Sequence, residues 1–367
     1  MIYVLAASGL LTLVLALCLT VDGLLTIYRC RAAQRRQRPL VLTVIRRDNV
    51  ADDLMVLHLA TAARSRLPAF DPGQYIQLSA AAGPHDRVIQ RAYSLAAWQV
   101  RPRHYELGIK REPQGVMTSW LWQNAQPGCT LMASQPRGHF VLQRPRGMLV
   151  LIGAGIGITP MRAMLHAGLD SGFEIRLFHA ARTVGQLLYR EEFEQLAQRH
   201  ARFSYCPVLT QPTPEWLGLQ GRIDAQRVLA QLPDPAAVDI YLCASGAMMN
   251  TLKAGFIERG IDAARVHQEA FGAAQNADTQ AYEVLVQPEG RTLTFQGQPS
   301  LLALLHEAGV GVDSDCRNGS CGACRMRCVS GQWRTVIEPQ WPLNDGEMLA
   351  CCSVPASNKL ELALLDR

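Results

Sequence analysis

Four cysteines near the carboxyl terminus constrain this 367-residue chain more than any other feature. Cys316, Cys321 and Cys324 stand in the spacing Cys-x4-Cys-x2-Cys, and Cys351 follows in Leu349-Ala350-Cys351. Three thiolates on one loop and a fourth from a distant strand can surround a two-iron, two-sulfur core, and this is the spacing of such a core. Gly319, Ser320, Gly322 and Ala323 are all small, so the loop can close tightly and turn its N–H groups toward the sulfurs. Structural zinc would show paired Cys-x2-Cys knuckles instead. Cys328 and Cys352 are spare, and Cys352 is the rival to Cys351 as fourth ligand. The total of eleven cysteines is odd and the chain is long, so a secreted disulfide framework fits poorly.

The length implies two or three domains rather than one core. A net charge of +5, carried by mostly dispersed basic residues, does not describe a nucleic-acid binder. The one dense basic run, Arg29 to Arg38, follows an uncharged stretch from Ile2 to Val21. About twenty apolar residues can cross the roughly 30 Å hydrocarbon core, and basic residues mark the cytoplasmic end of a span. The reading is a single N-terminal transmembrane helix in the inner (cytoplasmic) membrane, with the catalytic domains in the cytoplasm. An apolar helix packed on a partner subunit is the other reading. The expected division is 1–29 anchor, 30–38 basic linker, 39–145 first domain, 146–272 second domain, 273–281 linker and 282–367 cluster domain.

In the first domain, short alternating segments separated by Gly, Pro and Asp predict an antiparallel β-barrel: 40–45, 55–59, 75–78 and 105–109. Within it sits Arg91-Ala92-Tyr93-Ser94. A flavin needs a cation for its phosphate, an aromatic face beside its ring and a small hydroxyl near N5. Alternation puts Arg91 and Tyr93 on one face. Alone, a Tyr-Ser pair in a strand is more often ordinary barrel structure. A second element, Gly115-Val116-Met117-Thr118, precedes an apparent helix start at Trp120. Gly allows close backbone approach, and free N–H groups at a helix start attract phosphate. A plain cap at Thr118 or Ser119 is the alternative.

In the second domain, the apolar run 148–152 predicts a strand buried on both faces. Gly153, Gly155 and Gly157 follow, then Thr159 as N-cap and Pro160 as first helical residue. Such a turn exposes N–H groups to a pyrophosphate, although tight strand–helix packing would also select glycine. The spacing is G-x-G-x-G, and no acidic residue ends the next strand; Arg182 comes shortly after. Runs at 203–205 and 240–242 complete a parallel α/β sheet. Cys243 ends the last of these, near where ligands bind in open α/β sheets. After the linker come two strands, 282–286 and 291–295, and a helix at 301–308.

These motifs, in this order over 39–367, resemble the ferredoxin–NADP reductase superfamily, in the oxygenase-reductase type with a C-terminal β-grasp (α+β) ferredoxin domain. The resemblance implies that Arg91, Tyr93 and Ser94 contact the flavin, and that Gly115, Val116, Met117 and Thr118 meet its phosphates. It also places Thr159 at the flavin–nicotinamide contact, Cys243 beside the nicotinamide and Phe271 in the terminal aromatic region. Ser94 and Cys243 would thus border the reacting rings, with Gly153, Gly155, Gly157 and Arg182 along the nucleotide. The family usually reads Cys-Gly-Pro where this chain has Cys243-Ala244-Ser245. Relatives use FAD or FMN, and FAD is favoured here.

The implied activity is NAD(P)H-dependent reduction, with NADH and NADPH undecided. Flavin converts electron pairs into single electrons, and the 2Fe–2S cluster hands them to an acceptor protein. That acceptor would be an oxygenase, hydroxylase, desaturase or hybrid-cluster protein, itself membrane-bound if the anchor holds. The alternative, a subunit of a membrane NADH:quinone oxidoreductase, is disfavoured by domain order. Arg317, Arg325 and Arg327 flank the cluster loop, as a solvated face or as a docking surface for an acidic acceptor.

Overall fold

The structure is a computed structural model, described over residues 38–81, 88–113, 115–234, 237–270, 279–314, 316–319, 321–339 and 341–365. Its first unit contains β1 (Leu40–Ala51), β2 (Leu54–Ala60), β3 (Tyr75–Ala81), β4 (Val88–Ser94), β5 (Tyr105–Lys110), α1 (Val116–Asn124) and β6 (Thr130–Ala133). These strands form one antiparallel sheet, ordered β4-β3-β6-β1-β2-β5. The sheet curls, so that its edge strands β4 and β5 come into contact. Leu42, Val44, Met55, Leu57, Ile76, Leu78 and Leu107 fill the interior, all fully buried.

The second unit contains β7 (Met148–Ala154), α2 (Ile158–Asp170), β8 (Ile175–Ala181), α3 (Arg190–Arg199), β9 (Phe203–Leu209), β10 (Leu219–Gln220), α4 (Ala225–Leu229), β11 (Val238–Ala244), α5 (Gly246–Glu258) and β12 (Val266–Ala270). Its sheet is wholly parallel, ordered β10-β9-β8-β7-β11-β12. The continuous apolar run in β7 has its physical reason here. Val150 and Ile152 enter one core, while Leu149 and Leu151 enter the core on the opposite face.

The third unit contains β13 (Tyr282–Gln287), β14 (Arg291–Phe295), α6 (Leu301–Glu307), β15 (Arg325–Ser330), β16 (Trp333–Thr335), β17 (Glu347–Leu349), β18 (Ser353–Pro355) and β19 (Lys359–Leu364). A mixed sheet, β14-β13-β19-β15-β17, carries a parallel β13–β19 pair among antiparallel ones; β16 and β18 pair separately. Ser300 caps α6 by accepting from the Ala303 N–H, and Leu301, Leu302, Leu304 and Leu305 bury its inner side.

The expected inner-membrane, single-pass location is corrected. Among the described residues no helix is long and apolar enough to cross a membrane. The longest described helices, α2 and α5, have 13 residues each. At 1.5 Å per residue that is about 20 Å, short of the roughly 30 Å required. The apolar run 2–21, its basic flank before Arg38 and most of the 273–281 linker lie outside the described residues.

Candidate functional site

The cysteine loop folds back on itself through left-handed backbone at Arg317 (φ 60°), Gly319 (φ 87°) and Gly322 (φ 72°). Gly322 has no room for a side chain, because a Cβ there would lie 2.4 Å from the Trp341 ring. β17 and the short turn after it bring Cys351 under the loop. The Cys351 N–H lies 3.5 Å from the Cys324 sulfur, and the Ala350 N–H donates to the Cys324 carbonyl at 3.0 Å. The thiols divide in two: Cys316 hydrogen-bonds to Cys321, which with burial pushes the Cys316 thiol up, and Cys324 hydrogen-bonds to Cys351 with the same result for Cys324. Cys351 also acts on Cys316, and the Cys352 sulfur lies 3.5 Å from that of Cys351. Two irons bridged by two sulfides need two thiolates each to be tetrahedral, so this donor set fits a 2Fe–2S centre.

The loop is docked onto both other units. Asn318 Nδ2 donates to the Ala270 carbonyl at the end of β12, at 3.1 Å. Trp341, whose N–H donates to the Gly319 carbonyl, meets the His139 ring edge-on at 5.3 Å.

On β4, Tyr93 lies opposite Ile76 and Arg91 opposite Leu78, while Ser94 faces Tyr75. Arg91 and Tyr93 therefore share a face, as alternation requires. Tyr93 and Ser94 are buried, and the Tyr93 hydroxyl has no partner among the described residues. Arg91 is half-buried, and burial lowers its pKa. It donates to its neighbour's carbonyl at 2.7 Å and has no carboxylate partner among the described residues. An unneutralised cation beside an orphaned aromatic hydroxyl is a local cost that an anionic aromatic cofactor would relieve.

Helix α1 starts at Val116, four residues before the expected Trp120, with Gly115 at the N-cap position and no side-chain cap. The N–H groups of Val116, Met117 and Thr118 thus open the first turn without intrahelical partners. Thr118 Oγ1 donates to the Gly115 carbonyl and accepts from the Glu112 N–H, both at 3.1 Å. A Cβ on Gly115 would sit 2.4 Å from that hydroxyl, so glycine lets Thr118 tie the loop down.

The three glycines at the end of β7 and in the turn after it play different parts. A Cβ on Gly157 would lie 2.0 Å from the Cys243 carbonyl, and one on Gly153 would lie 2.8 Å from Ile158 Cα; both are needed for strand–helix packing. Gly155 has φ +55° and nothing within 4 Å of a Cβ, so it opens onto free space. Helix α2 begins at Ile158 with Gly157 at the N-cap position. Thr159, expected as the cap, is instead the second helical residue. Its hydroxyl donates to the Ile156 carbonyl at 2.9 Å, and its methyl fills the space over Gly108 of β5. Cys243 is fully buried, and burial pushes its thiol well up, so it serves as a small neutral group. Arg182 is exposed just beyond β8, and Phe271 lies outside the described residues.

Three domain families match the chain: an oxidoreductase FAD-binding domain over 41–142, an oxidoreductase NAD-binding domain over 151–254 and a 2Fe-2S iron-sulfur cluster binding domain over 284–356. The chain is 30% identical to phenoxybenzoate dioxygenase subunit beta of Ectopseudomonas oleovorans, covering 86% of this chain and 94% of that one. It belongs to the ferredoxin–NADP reductase-like iron–sulfur flavoprotein reductases. It is 24% identical to the glycine betaine monooxygenase reductase subunit of Chromohalobacter salexigens, over 79% of this chain and 86% of that one. Its fold is similar to that of phthalate dioxygenase reductase, with a TM-score of 0.63 at 24% identity, covering 89% of this chain and 98% of that one. The reductase is thus an NAD(P)H-dependent oxidoreductase with FAD-binding, NAD-binding and 2Fe–2S domains, the component that passes electrons to a partner oxygenase.

The reading of the sequence missed the charged junction of the first two domains in this reductase. Arg162 on α2 donates to Glu192 at 2.8 Å, to Glu106 of β5 at 3.3 Å and to the Ala96 carbonyl at 3.0 Å, two residues past Ser94. Its guanidinium stacks over the Tyr189 ring at 4.4 Å. Burial alone would raise the Glu192 carboxyl; hydrogen bonds from His166 and the charge of Arg162 outweigh it and hold the group below its ordinary value. The available signal was Glu106 itself, an acid set among Tyr105, Leu107 and Ile109 of β5. Tyr75 and Glu269 were missed as well. Glu269 is buried and in register with Cys243.

Proposed function

We propose that FAD lies along β4 and the start of α1, with Arg91 and the N–H groups of Val116 to Thr118 on its phosphates, Tyr93 on its ring and Ser94 at its reactive edge. Gly155 and the first turn of α2 would take the pyrophosphate of NAD(P)H. Cys316, Cys321, Cys324 and Cys351 would hold the cluster. When bound, the flavin takes an electron pair from the nicotinamide and releases single electrons to the 2Fe–2S centre. Thr159 and Arg162 keep the first two domains in register so that the two rings can meet. Cys243, kept protonated by burial, lines the nicotinamide side without adding charge.

The observation that carries this reading is the two-by-two arrangement of thiols between the cysteine loop, bonded directly to the end of β12, and Cys351 beneath it. Anaerobically purified protein should show flavin absorbance and, once reduced, a rhombic EPR signal. Cys321→Ser should abolish the signal and leave flavin reduction by NAD(P)H intact. Loss of neither, or absence of both chromophores in the wild type, overturns the reading.

The acceptor is an oxygenase, and a hydroxylase, desaturase or hybrid-cluster protein belongs to the same proposal. Arg327 is exposed, and Arg325 is half-buried beside Glu347 at 3.7 Å. With Arg317 they would form the docking face for an acidic acceptor. Reversing these charges should slow electron delivery, and the effect should shrink at high salt. Unchanged transfer rejects this face.

A further inference from the structure

We propose that the Tyr75 hydroxyl donates a hydrogen bond to a sulfur of the 2Fe–2S centre on its Cys316–Cys321 side, and so holds the reduction potential of the cluster up. The inference rests on the assignment of those cysteines as cluster ligands.

Tyr75 is 2% exposed, and its hydroxyl is buried with no partner among the described residues. A buried tyrosine hydroxyl ordinarily has one. The backbone around it is fixed: its N–H donates to the Arg137 carbonyl and its carbonyl accepts from the Arg137 N–H, each at 2.9 Å. Gly138, at φ +120°, then runs across the ring, where a Cβ would be 3.0 Å from Tyr75 Cδ1. The next residue, His139, meets Trp341, which is bonded to Gly319 within the cysteine loop. The ring is thereby covered by the 137–139 segment, which itself contacts the cluster loop.

The Cys316 and Cys321 thiols and Glu269 lie near enough to act on the Tyr75 phenol, and a tyrosine hydroxyl is protonated, hence a donor, at neutral pH. Among the groups that act on it, the Cys316 and Cys321 sulfurs are the ones assigned to the cluster. A donor on a cluster sulfur stabilises the more negative reduced state and raises the potential. On the opposite strand, Tyr75 faces Ser94. The same ring would therefore stand between the two redox groups and favour electron flow toward the cluster.

Redox titration monitored by EPR on Tyr75→Phe tests this. The flavin-to-cluster equilibrium should fall about tenfold, which for one electron is a midpoint about 59 mV lower. The flavin midpoint should stay unchanged. A loaded cluster with an unmoved midpoint overturns the inference alone, whereas a wild-type protein with no rhombic signal overturns the cluster reading and this inference with it. Should the variant not load a cluster, wild-type protein grown with 3-fluorotyrosine decides. A 19F coupling to the reduced cluster supports the contact, and its absence overturns it.

Discussion

Cys324 and Cys351 are 27 residues apart in the chain, yet the N–H of Cys351 points at the sulfur of Cys324 from 3.5 Å. The contact is delivered by β17, which ends two residues before Cys351. It separates Cys351 from its neighbour Cys352, whose sulfur packs instead against Gly319, 2.7 Å from where a Cβ would be.

Cys351→Ser should therefore lose the cluster, and Cys352→Ala should keep it. The second change removes one fully buried sulfur and should cost about 1 kcal/mol by the scale of small core deletions. Visible absorbance and EPR of the two purified variants decide between them. A cluster retained in Cys351→Ser would exchange the roles.

The glycine turn after β7 yields a paired prediction. Gly157→Ala sets a methyl 2.0 Å from the Cys243 carbonyl, so β11 and α2 must part. Overpacking of this kind costs about 1–3 kcal/mol. Gly155→Ala meets no atom within 4 Å and bears only the left-handed backbone cost, about 1–2 kcal/mol. Its methyl would, however, project into the space proposed for the pyrophosphate. Urea unfolding should rank Gly157→Ala as the less stable variant. The KM for NAD(P)H should rise about tenfold or more in Gly155→Ala, roughly 1.4 kcal/mol of binding. Equal KM values in wild type and Gly155→Ala would remove Gly155 from the nucleotide site.

The cysteine spacing and the sheet strands were legible because each is a local pattern. The Cys316–Cys324 spacing reports its own chemistry, and the alternation in 75–78 or the apolar run in 148–152 reports the faces that those strands bury. Helix starts were less legible. Trp120 and Thr159 were misplaced because Gly115 and Gly157 take the N-cap position for reasons of close packing that no residue pattern announces. Arg162, Glu106 and Glu192 were invisible for a different reason. Their partnership joins β5, α2 and α3, and nothing in the separate segments records that they meet. Tyr75 looked like one more apolar strand residue, since only the folded structure leaves its buried hydroxyl without a partner among the described residues.

Arg162 is the test of how far the first two domains depend on one another. Replacing it with Ala would strand Glu106, whose side chain is 8% exposed, without its cation. Removing one member of such a buried pair typically costs about 3–5 kcal/mol. Arg162→Lys should recover little, because one ammonium cannot serve two carboxylates and a carbonyl in a planar fork. The expected outcome is a lower unfolding midpoint for both variants, with slower hydride transfer in stopped-flow mixing with NAD(P)H. A lysine variant indistinguishable from wild type would show that the fork geometry is immaterial.

His179 should make the nucleotide domain sensitive to mild acid. It is fully buried, its Nδ1 lies 3.1 Å from the Tyr205 hydroxyl, and its Nε2 has no partner among the described residues. Burial lowers its pKa to about 3. In the unfolded chain the same ring titrates near 6.5. Below that value the unfolded state binds a proton that the folded state refuses, so stability is complete above about pH 6.5 and falls as pH drops toward 3. The slope is up to about 1.4 kcal/mol per pH unit, or roughly 2–3 kcal/mol by pH 4.5. Glu192 and Asp239, whose carboxyls are held below their ordinary values, contribute stability that is lost only at lower pH, so the interval from 6.5 to 5 isolates histidine. His104 and His267 are also lowered by burial and add to the slope. His179→Phe keeps an aromatic ring between Phe193 and Tyr205 and removes the titrating group. Its melting temperature should fall less between pH 7 and 5 than that of the wild type, even if it starts lower because the Tyr205 hydroxyl has lost its partner. Parallel melting curves for the two proteins across that interval would mean that the buried imidazole is not the acid-sensitive group.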